Sequence, residues 1–500
     1  MRISSTCLLL LVAFTISCGR GDTNSIDSIE SGDFYSSVSP VPGPIPGSEA
    51  TWPAPPGIGI TQPNYRPLNL SDKVFRSDLT TYAPGDILEE TVTLEFDVTR
   101  QQTRGEARIK FKQSVESQPV FLFEGTVLGT SINGQSVPFS WMRTPNSSTV
   151  VLALQKTMKA GEVAEAVITF SLPSDRTTYS SGGVAFLTAM ADLVARFSQR
   201  YWPTGFEDDA HALTLRLKVL GGSNQHALYA NGEIHERGAG EWEIRFPSYY
   251  SLSSFYVHLT DRAHVVDRFT VQGMTRQIPV TVYASSASLV QAAKAQLPAL
   301  FQEMEEDYGP YSHPEFIAYI VTTSGGMEHV GATVTHLSSL AHELLHSWFA
   351  RGVMPAEGRS GWIDEAIADW RGKGYQRATS LLQRSPTALA TASPFTLSTP
   401  MNSYQDGRLL MAELDLYFAD LGGMKPILKA FMERYRYSQY TTEEFKAFIE
   451  NHTGRSVEEF FNRYVYGAPR WRVSEPLLEV EPEPSDHPRP FTDEEIAAIR

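Results

Sequence analysis

The chain of 500 residues has little cysteine, no long apolar run and no excess of positive charge. Its two cysteines, Cys7 and Cys18, lie near the start, so the globular part can hold neither a disulfide nor a thiolate metal site. No stretch approaches the roughly 18 consecutive apolar residues that a membrane-spanning helix needs. The 42 basic and 57 acidic residues give a net charge of −15, which argues against a nucleic-acid or anionic-lipid surface. Any metal must therefore be held by histidines and carboxylates.

The N-terminus has the pattern of an export signal. A positive charge at Arg2 precedes the apolar run Leu8–Phe14, which is too short to span a bilayer. The run ends in Thr15-Ile16-Ser17-Cys18, which resembles a bacterial lipoprotein box. Residues 1–17 are therefore predicted to be a signal peptide, and Cys18 is predicted to be acylated. The expected location is the bacterial cell envelope, lipid-anchored on its periplasmic or extracellular side, or the medium if Cys18 is not acylated.

Composition and periodicity divide the remaining chain into four parts. Residues 18–75 are rich in proline, glycine and serine, which predicts a flexible tether. Residues 76–272 alternate apolar and polar positions between turn signals, which predicts an all-β domain. Residues 273–472 change to helical spacing after one strand-like run, which predicts an α+β domain. Residues 473–500 form an acidic, proline-rich tail that is expected to dock loosely. The predicted fold class of the whole chain is α+β.

The chemistry is concentrated in the second domain, at His342-Glu343-Leu344-Leu345-His346. This His-Glu-x-x-His motif lies in a predicted amphipathic helix over Leu337–Phe349. Residues four apart lie about 40° apart around a helix, so His342 and His346 face the same side and can share a metal. Glu343 is rotated by about 100°, close enough to reach a water on that metal without binding the metal itself.

A third ligand follows in a second amphipathic segment, predicted to be helical over Ile363–Tyr375. Eighteen residues separate His346 from Glu365, and the apolar stripe of this segment would put Glu365 on a helix beside the first. Two imidazoles and one carboxylate, with a fourth position open to water, suit a catalytic zinc ion. One zinc per chain is therefore predicted, held by His342, His346 and Glu365. The alternative is that Glu365 is a solvated helix carboxylate and the histidines lack a third ligand.

The spacing His-Glu-x-x-His, eighteen residues, Glu resembles the zinc signature of the M1 aminopeptidases, a family of gluzincin metallopeptidases. The resemblance extends to other motifs of the family and covers about residues 80–472. Its exopeptidase motif Gly-x-Met-Glu-Asn, its Trp-Leu-Asn-Glu-Gly and its Tyr-x-x-Gly are similar to Gly325-Gly326-Met327-Glu328-His329, Trp362-Ile363-Asp364-Glu365-Ala366 and Tyr404-Gln405-Asp406-Gly407. The resemblance implies an N-terminal saddle-like β domain followed by a thermolysin-like zinc peptidase domain.

The resemblance also implies roles for individual residues. Glu343 would be the general base, and Tyr404 would hydrogen-bond the oxyanion. Glu328 would pair with the free α-ammonium group of the substrate. A strand predicted at Phe316–Thr322 would pair with the extended peptide backbone. The substrate-binding residues would be Gly326, Met327 and Glu328.

The chain departs from the family pattern at several positions. His329 replaces the asparagine of the exopeptidase motif, as in the related glycyl aminopeptidases, and Asp364 replaces the asparagine before the third ligand. Asp369 follows Glu365 at the spacing of the Glu-x-x-x-Asp of thermolysin-like enzymes. It is a candidate to orient a zinc-bound histidine, the alternative being a plain surface residue. The helical domain that usually roofs the M1 site is not recognised after Arg472.

The predicted function is therefore a zinc metallopeptidase, most closely an aminopeptidase that hydrolyses the N-terminal bond of peptide substrates with a zinc-activated water. Two alternatives remain. One is an open-cleft zinc endopeptidase, and the other is a catalytically inactive binding module on the same scaffold. The intact ligands, base and tyrosine argue against the inactive module. No nucleic-acid partner is expected, and contact with a membrane is expected only through the lipid anchor at Cys18.

Overall fold

The computed structural model describes residue 70 and residues 72–391, 393–467 and 488–500. The predicted signal peptide, the predicted acylation site Cys18 and the predicted tether up to residue 69 lie outside the described residues. Among the residues described, no helix combines the length and the apolar character needed to cross a bilayer.

The N-terminal region is built from strands that form three sheets. The strands are β1 (Phe75–Ser77), β2 (Thr80–Pro84), β3 (Asp86–Asp97), β4 (Gln102–Lys112), β5 (Gln118–Leu122), β6 (Thr126–Ile132), β7 (Gln135–Ser136), β8 (Phe139–Arg143), β9 (Val150–Leu154), β10 (Val163–Ser171), β11 (Thr178–Tyr179), β12 (Val184–Leu187), β13 (Ala212–Leu220), β14 (Ala227–Ala230), β15 (Glu233–Gly238), β16 (Glu241–Arg245) and β17 (Val257–Thr260). The sheet orders are β15-β16-β13-β3-β4-β10-β6-β7, β1-β2-β5-β9-β8 and β11-β12-β17-β14. Single turns of 3-10 helix lie at Ser174–Arg176, Asp192–Val194 and Ser198–Arg200.

The alternation of the sequence explains these strands. On β3, the side chains of Val92, Leu94 and Phe96 are fully buried, whereas the residues between them are partly exposed. The buried face joins one apolar core with the other two sheets, and Trp202 and Phe255 lie within it. β3 pairs antiparallel with β4 and parallel with β13. The predicted strand-rich N-terminal region is therefore confirmed.

The second region contains the strands β18 (Val265–Gln272), β19 (Gln277–Ala284), β20 (Phe316–Val321), β21 (Gly326–His329), β22 (Ala332–His336), β23 (Met354–Pro355) and β24 (Gln439–Tyr440). The first five form a sheet of order β18-β19-β20-β22-β21 against which helices pack, so that β21 forms one edge, and β23 and β24 form a separate two-stranded sheet. Its helices are α1 (Ala287–Tyr308), α2 (Leu340–Leu345), α3 (Trp362–Gly372), α4 (Gln405–Tyr417), α5 (Met424–Tyr435), α6 (Thr442–Thr453), α7 (Glu458–Phe460), a π-helix at Phe461–Val465, and α8 (Asp493–Ile499). Turns of 3-10 helix lie at Leu337–Ser339, Gly358–Ser360, Met401–Ser403 and Ala419–Leu421.

Two predicted boundaries need correction. The predicted division at residues 272 and 273 separates β18 from β19, which pair along their whole length in the second sheet. The division lies before Val265, and it was misplaced because β18 alternates apolar and polar residues like the strands before it. The predicted tether to residue 75 is also too long, because Leu70 and Lys73 are buried and Lys73 pairs with Asp208 at 2.5 Å.

The predicted helix over Leu337–Phe349 is shorter than the pattern suggests. It consists of a 3-10 turn followed by α2, and the chain then turns, with the Trp348 amide donating to the Leu345 carbonyl at 2.8 Å. Trp348 and Phe349 are nevertheless fully buried among α1 and the neighbouring helices. Their apolar side chains continue the helical spacing in a segment that is no longer an α-helix.

Residues 488–500 pack firmly, in contrast to the expected loose docking of the tail. Helix α8 begins with a capping box, in which Thr492 and Glu495 each accept from the other's backbone amide. Phe491 and Ile496 are 2% and 1% exposed, and with Ile499 they join an apolar cluster that includes Tyr229 and Tyr319. We call residues 488–500 the docked segment.

Candidate active site

The two histidines of the motif lie on one side of α2 and its C-terminal end. His342 lies within α2, and His346 follows its last residue with helical backbone angles of −59° and −16°. The expected i, i+4 relation is therefore preserved although the α-helix has ended, and the two ring centroids are 4.8 Å apart. The Nδ1 atom of His346 lies 3.1 Å from the Phe349 carbonyl oxygen, which can only accept. Nδ1 must therefore carry the proton, and the unprotonated Nε2 faces the cleft.

Glu365, on the first turn of α3, completes the predicted ligand set. Its Oε2 atom lies 3.3 Å from His342 Nε2 and 3.6 Å from His346 Nε2. One donor atom from each of the three residues lies within 4.8 Å of the others. Glu365 is 5% exposed, so it is not a solvated helix carboxylate. The sequence-predicted ligands are thus brought together at one point.

The electrostatics of the site suit a bound cation. Burial lowers the pKa of His342 to about 4 and holds the pKa of His346 well below its usual value. Both imidazoles are therefore neutral near pH 7, as metal ligands must be. Two neutral imidazoles and a carboxylate with convergent lone pairs are the donors that zinc prefers, so the residues present fit a zinc ion.

Glu343 is buried beside this cluster, and its position depends on a glycine of the edge strand. It is 3% exposed, and burial with the charges of Glu328 and Glu365 raises its pKa well above the usual value. A methyl group on Gly326 would overlap the Glu343 carboxylate, so only glycine leaves room for it. Carboxylate oxygens of Glu328 and Glu343 and a nitrogen of His346 also lie within 4.8 Å of one another.

Tyr404 reaches the cluster from the residue before α4. Its hydroxyl donates to Glu365 Oε1 at 2.8 Å, and its ring stacks on His342 with centroids 6.2 Å apart. Gly407 brings α4 close to α3, because a Cβ atom there would lie 2.7 Å from the Cβ atom of Ala366. The two ends of the Tyr-x-x-Gly motif therefore act together, since the glycine allows the helix approach that places the tyrosine.

Glu328 lies on β21 and forms a buried ion pair that the sequence did not predict. Its Oε1 atom accepts from Arg351 Nη2 at 2.7 Å, and the same nitrogen lies 3.3 Å from Asp192 Oδ1. Arg351 is fully buried. Burial and the charge of Asp192 outweigh Arg351 and raise the pKa of Glu328 to about 8. The charges of Glu207 and Asp364 also act on Arg351, so four carboxylates share one buried guanidinium.

The other residues of the exopeptidase motif face away from the cleft. Met327 is buried in the apolar cluster that also receives the docked segment, as the alternation along a strand requires. His329 is 1% exposed, its Nδ1 lies 3.1 Å from the Phe255 carbonyl, and its ring packs on Tyr256. Gly326 and Glu328 are thus the motif residues that line the cleft, and His329 serves the packing of the strand.

The strand predicted to pair with a peptide was misassigned. Residues 316–321 form β20, which has β19 on one side and β22 on the other, both parallel to it, and so has no free edge. The available edge belongs to β21, which pairs only with β22 among the described strands. The prediction failed because β21 is short and contains glycine, whereas the apolar run of β20 is typical of a central strand.

Asp369 lies on α3, one turn beyond Glu365. It pairs with Arg408, whose Nε is 2.9 Å from Asp369 Oδ2. Its charge also acts on His342, where it opposes the lowering of the pKa by burial. Asp369 is 8% exposed and so is not a plain surface residue, and its predicted role in orienting a ligand stays a prediction.

A cleft of about 310 Å³ joins these groups. It is lined by Gly326, Glu328, His342, Glu343, His346, Glu365 and Tyr404, and also by Ala191, Asp192, Leu193, Pro488 and Pro490. Sequence reasoning missed this second set and Arg351. A charged residue between Trp348-Phe349 and Val353-Met354 was a usable signal for Arg351. No pattern marked Asp192 or the prolines, which the fold brings in from distant parts of the chain.

Comparison with solved structures identifies the fold. An M1 zinc metallopeptidase from Deinococcus radiodurans matches with a TM-score of 0.57 at 16% identity, over 81% of this chain and 99% of that chain. A mutant described as bound to a Tyr-Ser-Ala substrate gives the same TM-score, identity and coverage. Leukotriene A4 hydrolase from Saccharomyces cerevisiae gives 0.54 at 13% identity, over 78% of this chain and 69% of that chain.

No protein-family sequence model matches the chain, and no curated protein sequence matches it either. The similarity to known proteins is therefore one of structure, not of sequence. The predicted resemblance is confirmed at the level of architecture: the chain has the two-domain α+β fold of the M1 zinc metallopeptidases.

Proposed function

We propose that the protein is a zinc-dependent metallopeptidase that removes residues from the free N-termini of peptides. The observation that carries this proposal is the position of Glu328, whose carboxylate opens on the same cleft as the three donors and Glu343. Because Glu328 lies beside the hydrolytic residues, it can bind the ammonium group of a substrate and so select for a free N-terminus. The structural neighbours that carry peptidase names support the reaction class.

Glu343 and Tyr404 would each contribute to hydrolysis of the peptide bond. A bound zinc ion would supply an activated water and polarise the scissile carbonyl. Glu343 would accept the water's proton on its carboxylate and return it to the leaving amine. The Tyr404 hydroxyl donates to Glu365 Oε1 in this structure and would donate to the oxyanion during the reaction. One such hydrogen bond stabilises the transition state by about 3 kcal/mol in comparable sites.

The ammonium site gains its specificity from unbalanced charge. The charges of four carboxylates act on Arg351, namely Asp192, Glu207, Glu328 and Asp364, and the raised pKa of Glu328 means that one guanidinium does not keep all of them ionised near pH 7. A substrate ammonium beside Glu328 would restore the balance through a charge-assisted hydrogen bond. An acylated N-terminus would offer Glu328 no cation in addition to Arg351, so the binding energy of this charge-assisted hydrogen bond would be lost.

We expect cleavage of a peptide with a free N-terminus, one residue at a time, and at least about 100-fold slower cleavage of its N-acetylated twin. Glu328→Gln should lower kcat/KM on an aminoacyl 4-nitroanilide by about 10- to 100-fold, because it removes the charged partner. Glu433→Gln, on an exposed position of α5, is the matched control and should change nothing. Product analysis by mass spectrometry is the measurement. Internal cleavage of the acetylated twin would identify an endopeptidase instead.

We also propose that the protein is lipid-anchored in a bacterial envelope through Cys18, as the lipoprotein-like box indicates. The full chain, expressed in a bacterium, should partition with membranes. Mass spectrometry should find a mature N-terminus at Cys18 carrying acyl chains, and Cys18→Ser should release the protein from the membrane fraction. A mature terminus that begins elsewhere would exclude the anchor.

A further inference from the structure

We infer that the docked segment limits the length of the substrate, because it forms a wall across the leaving-group end of the cleft and so favours dipeptides and tripeptides. This inference rests on the proposed aminopeptidase activity and adds its substrate class. The segment reaches the cleft from a part of the chain far from the motifs.

The direction of the substrate follows from the site geometry. β21 offers the edge to which an extended peptide can add as a further strand. The ammonium group lies at Glu328, and the scissile bond must lie near Glu343, whose carboxylate abuts Gly326. The peptide therefore runs from Glu328 towards Gly326 and Gly325, antiparallel to β21. At about 3.3 Å per residue, the residue after the scissile bond lies beside Gly326 or Gly325.

The docked segment stands at this end of the strand. Pro488 and Pro490 line the cleft together with Gly326 and the zinc-binding residues. The carbonyl oxygen of Arg489 lies 2.7 Å from the position a Cβ atom would take on Gly325, and the Phe491 ring lies 3.2 Å from it. Gly325 has a φ of 140°, so glycine is needed there both for backbone conformation and for this contact. The second residue after the scissile bond would thus lie against Pro488 and Pro490, and a third would have no room beside β21.

Two buried hydrogen bonds, one partly exposed ion pair and buried apolar side chains hold this segment in place. Arg196 Nη1 donates to the Phe491 carbonyl at 2.6 Å, and Tyr319 donates from its hydroxyl to the Ile499 carbonyl at 2.8 Å. Arg200 pairs with Asp493 at 3.1 Å. The side chains of Phe491 and Ile496 are buried in the cluster shared with β20 and β22. A long peptide would have to displace these contacts or bend away from β21, and either change would weaken its binding.

The test is a length series on the whole protein loaded with zinc. Alanine peptides of two, three, four and six residues should show a fall in kcat/KM of about tenfold or more between the tripeptide and the hexapeptide. The double variant Pro488→Ala, Pro490→Ala removes the two proline rings and should raise the ratio of kcat/KM for the hexapeptide to kcat/KM for the dipeptide by about tenfold. Glu494→Ala, exposed on α8, is the matched control and should keep the wild-type profile.

The outcomes separate this inference from the proposed function. Equal kcat/KM across the wild-type length series, with single-residue release, would overturn the length limit and leave the aminopeptidase intact. Failure to hydrolyse any substrate with a free N-terminus would instead remove the proposed function. Zinc content and the melting temperature verify that the double variant is folded. The wild-type series decides the question even if that variant is not.

Discussion

His346→Ala should abolish both zinc binding and peptidase activity. His346 supplies one of three protein donors, and its Nε2 is held towards the cleft by the hydrogen bond of Nδ1 to the Phe349 carbonyl. Two remaining donors cannot complete the three-ligand set of a catalytic zinc site. Elemental analysis of the purified protein should give one zinc per chain for the wild type and close to none for the variant. Activity should fall to background, because no step of the hydrolysis proceeds without the metal.

The stability of this variant provides a second readout. A ligand that binds only the folded state stabilises it by about 4 kcal/mol when present at a thousandfold excess over its Kd. The melting temperature of His346→Ala should therefore not respond to added zinc, whereas that of the chelated wild type should rise. His452→Ala, at an exposed position of α6, is the control and should keep zinc and activity. Full zinc occupancy in His346→Ala would show that the ligand set is wrong.

Glu343→Gln should keep the zinc and lose the reaction. The amide fills the space left by Gly326 but cannot accept a proton, so general base catalysis is lost. A fall in kcat of about 100- to 10,000-fold is expected. Bound zinc should be unchanged, because the predicted ligands are His342, His346 and Glu365. Steady-state kinetics and elemental analysis on the same preparation measure kcat and bound zinc.

A matched control for this substitution lies in α1. Glu305 is also a buried carboxylate, and it accepts from the Tyr311 backbone amide at 2.9 Å, well outside the cleft residues. Glu305→Gln should alter stability and leave kcat near the wild-type value. Wild-type turnover in Glu343→Gln would mean that another group is the base.

The sequence predicted the parts of the site that are local or evenly spaced. His342, Glu343 and His346 could be placed from the helical repeat alone, and Glu365 from the apolar stripe around it. His342 and His346 face the same side even though the predicted helix is too long, because His346 keeps helical backbone angles after α2 ends. A motif of this kind depends on a few dihedral angles, not on the full extent of the element that carries it.

What could not be predicted depends on contacts between distant parts of the chain. Asp192 lines the cleft and contacts Arg351, which lies 159 positions later in the chain, and no motif marks either residue. The edge position of β21 is a property of sheet order, which alternation does not encode. The tail was expected to dock only loosely because it is acidic and rich in proline, and the three apolar residues that anchor its last part, Phe491, Ile496 and Ile499, form no recognisable motif.

The docked segment also has a consequence for the order of folding. Its hydrogen bonds with Arg196 and Tyr319 join residues 295 and 180 positions apart. Contacts that close such long loops carry a large entropic cost and form late in folding. The zinc-binding helices can therefore assemble before the docked segment packs beside them, so that the cleft is enclosed only after its catalytic residues are in place.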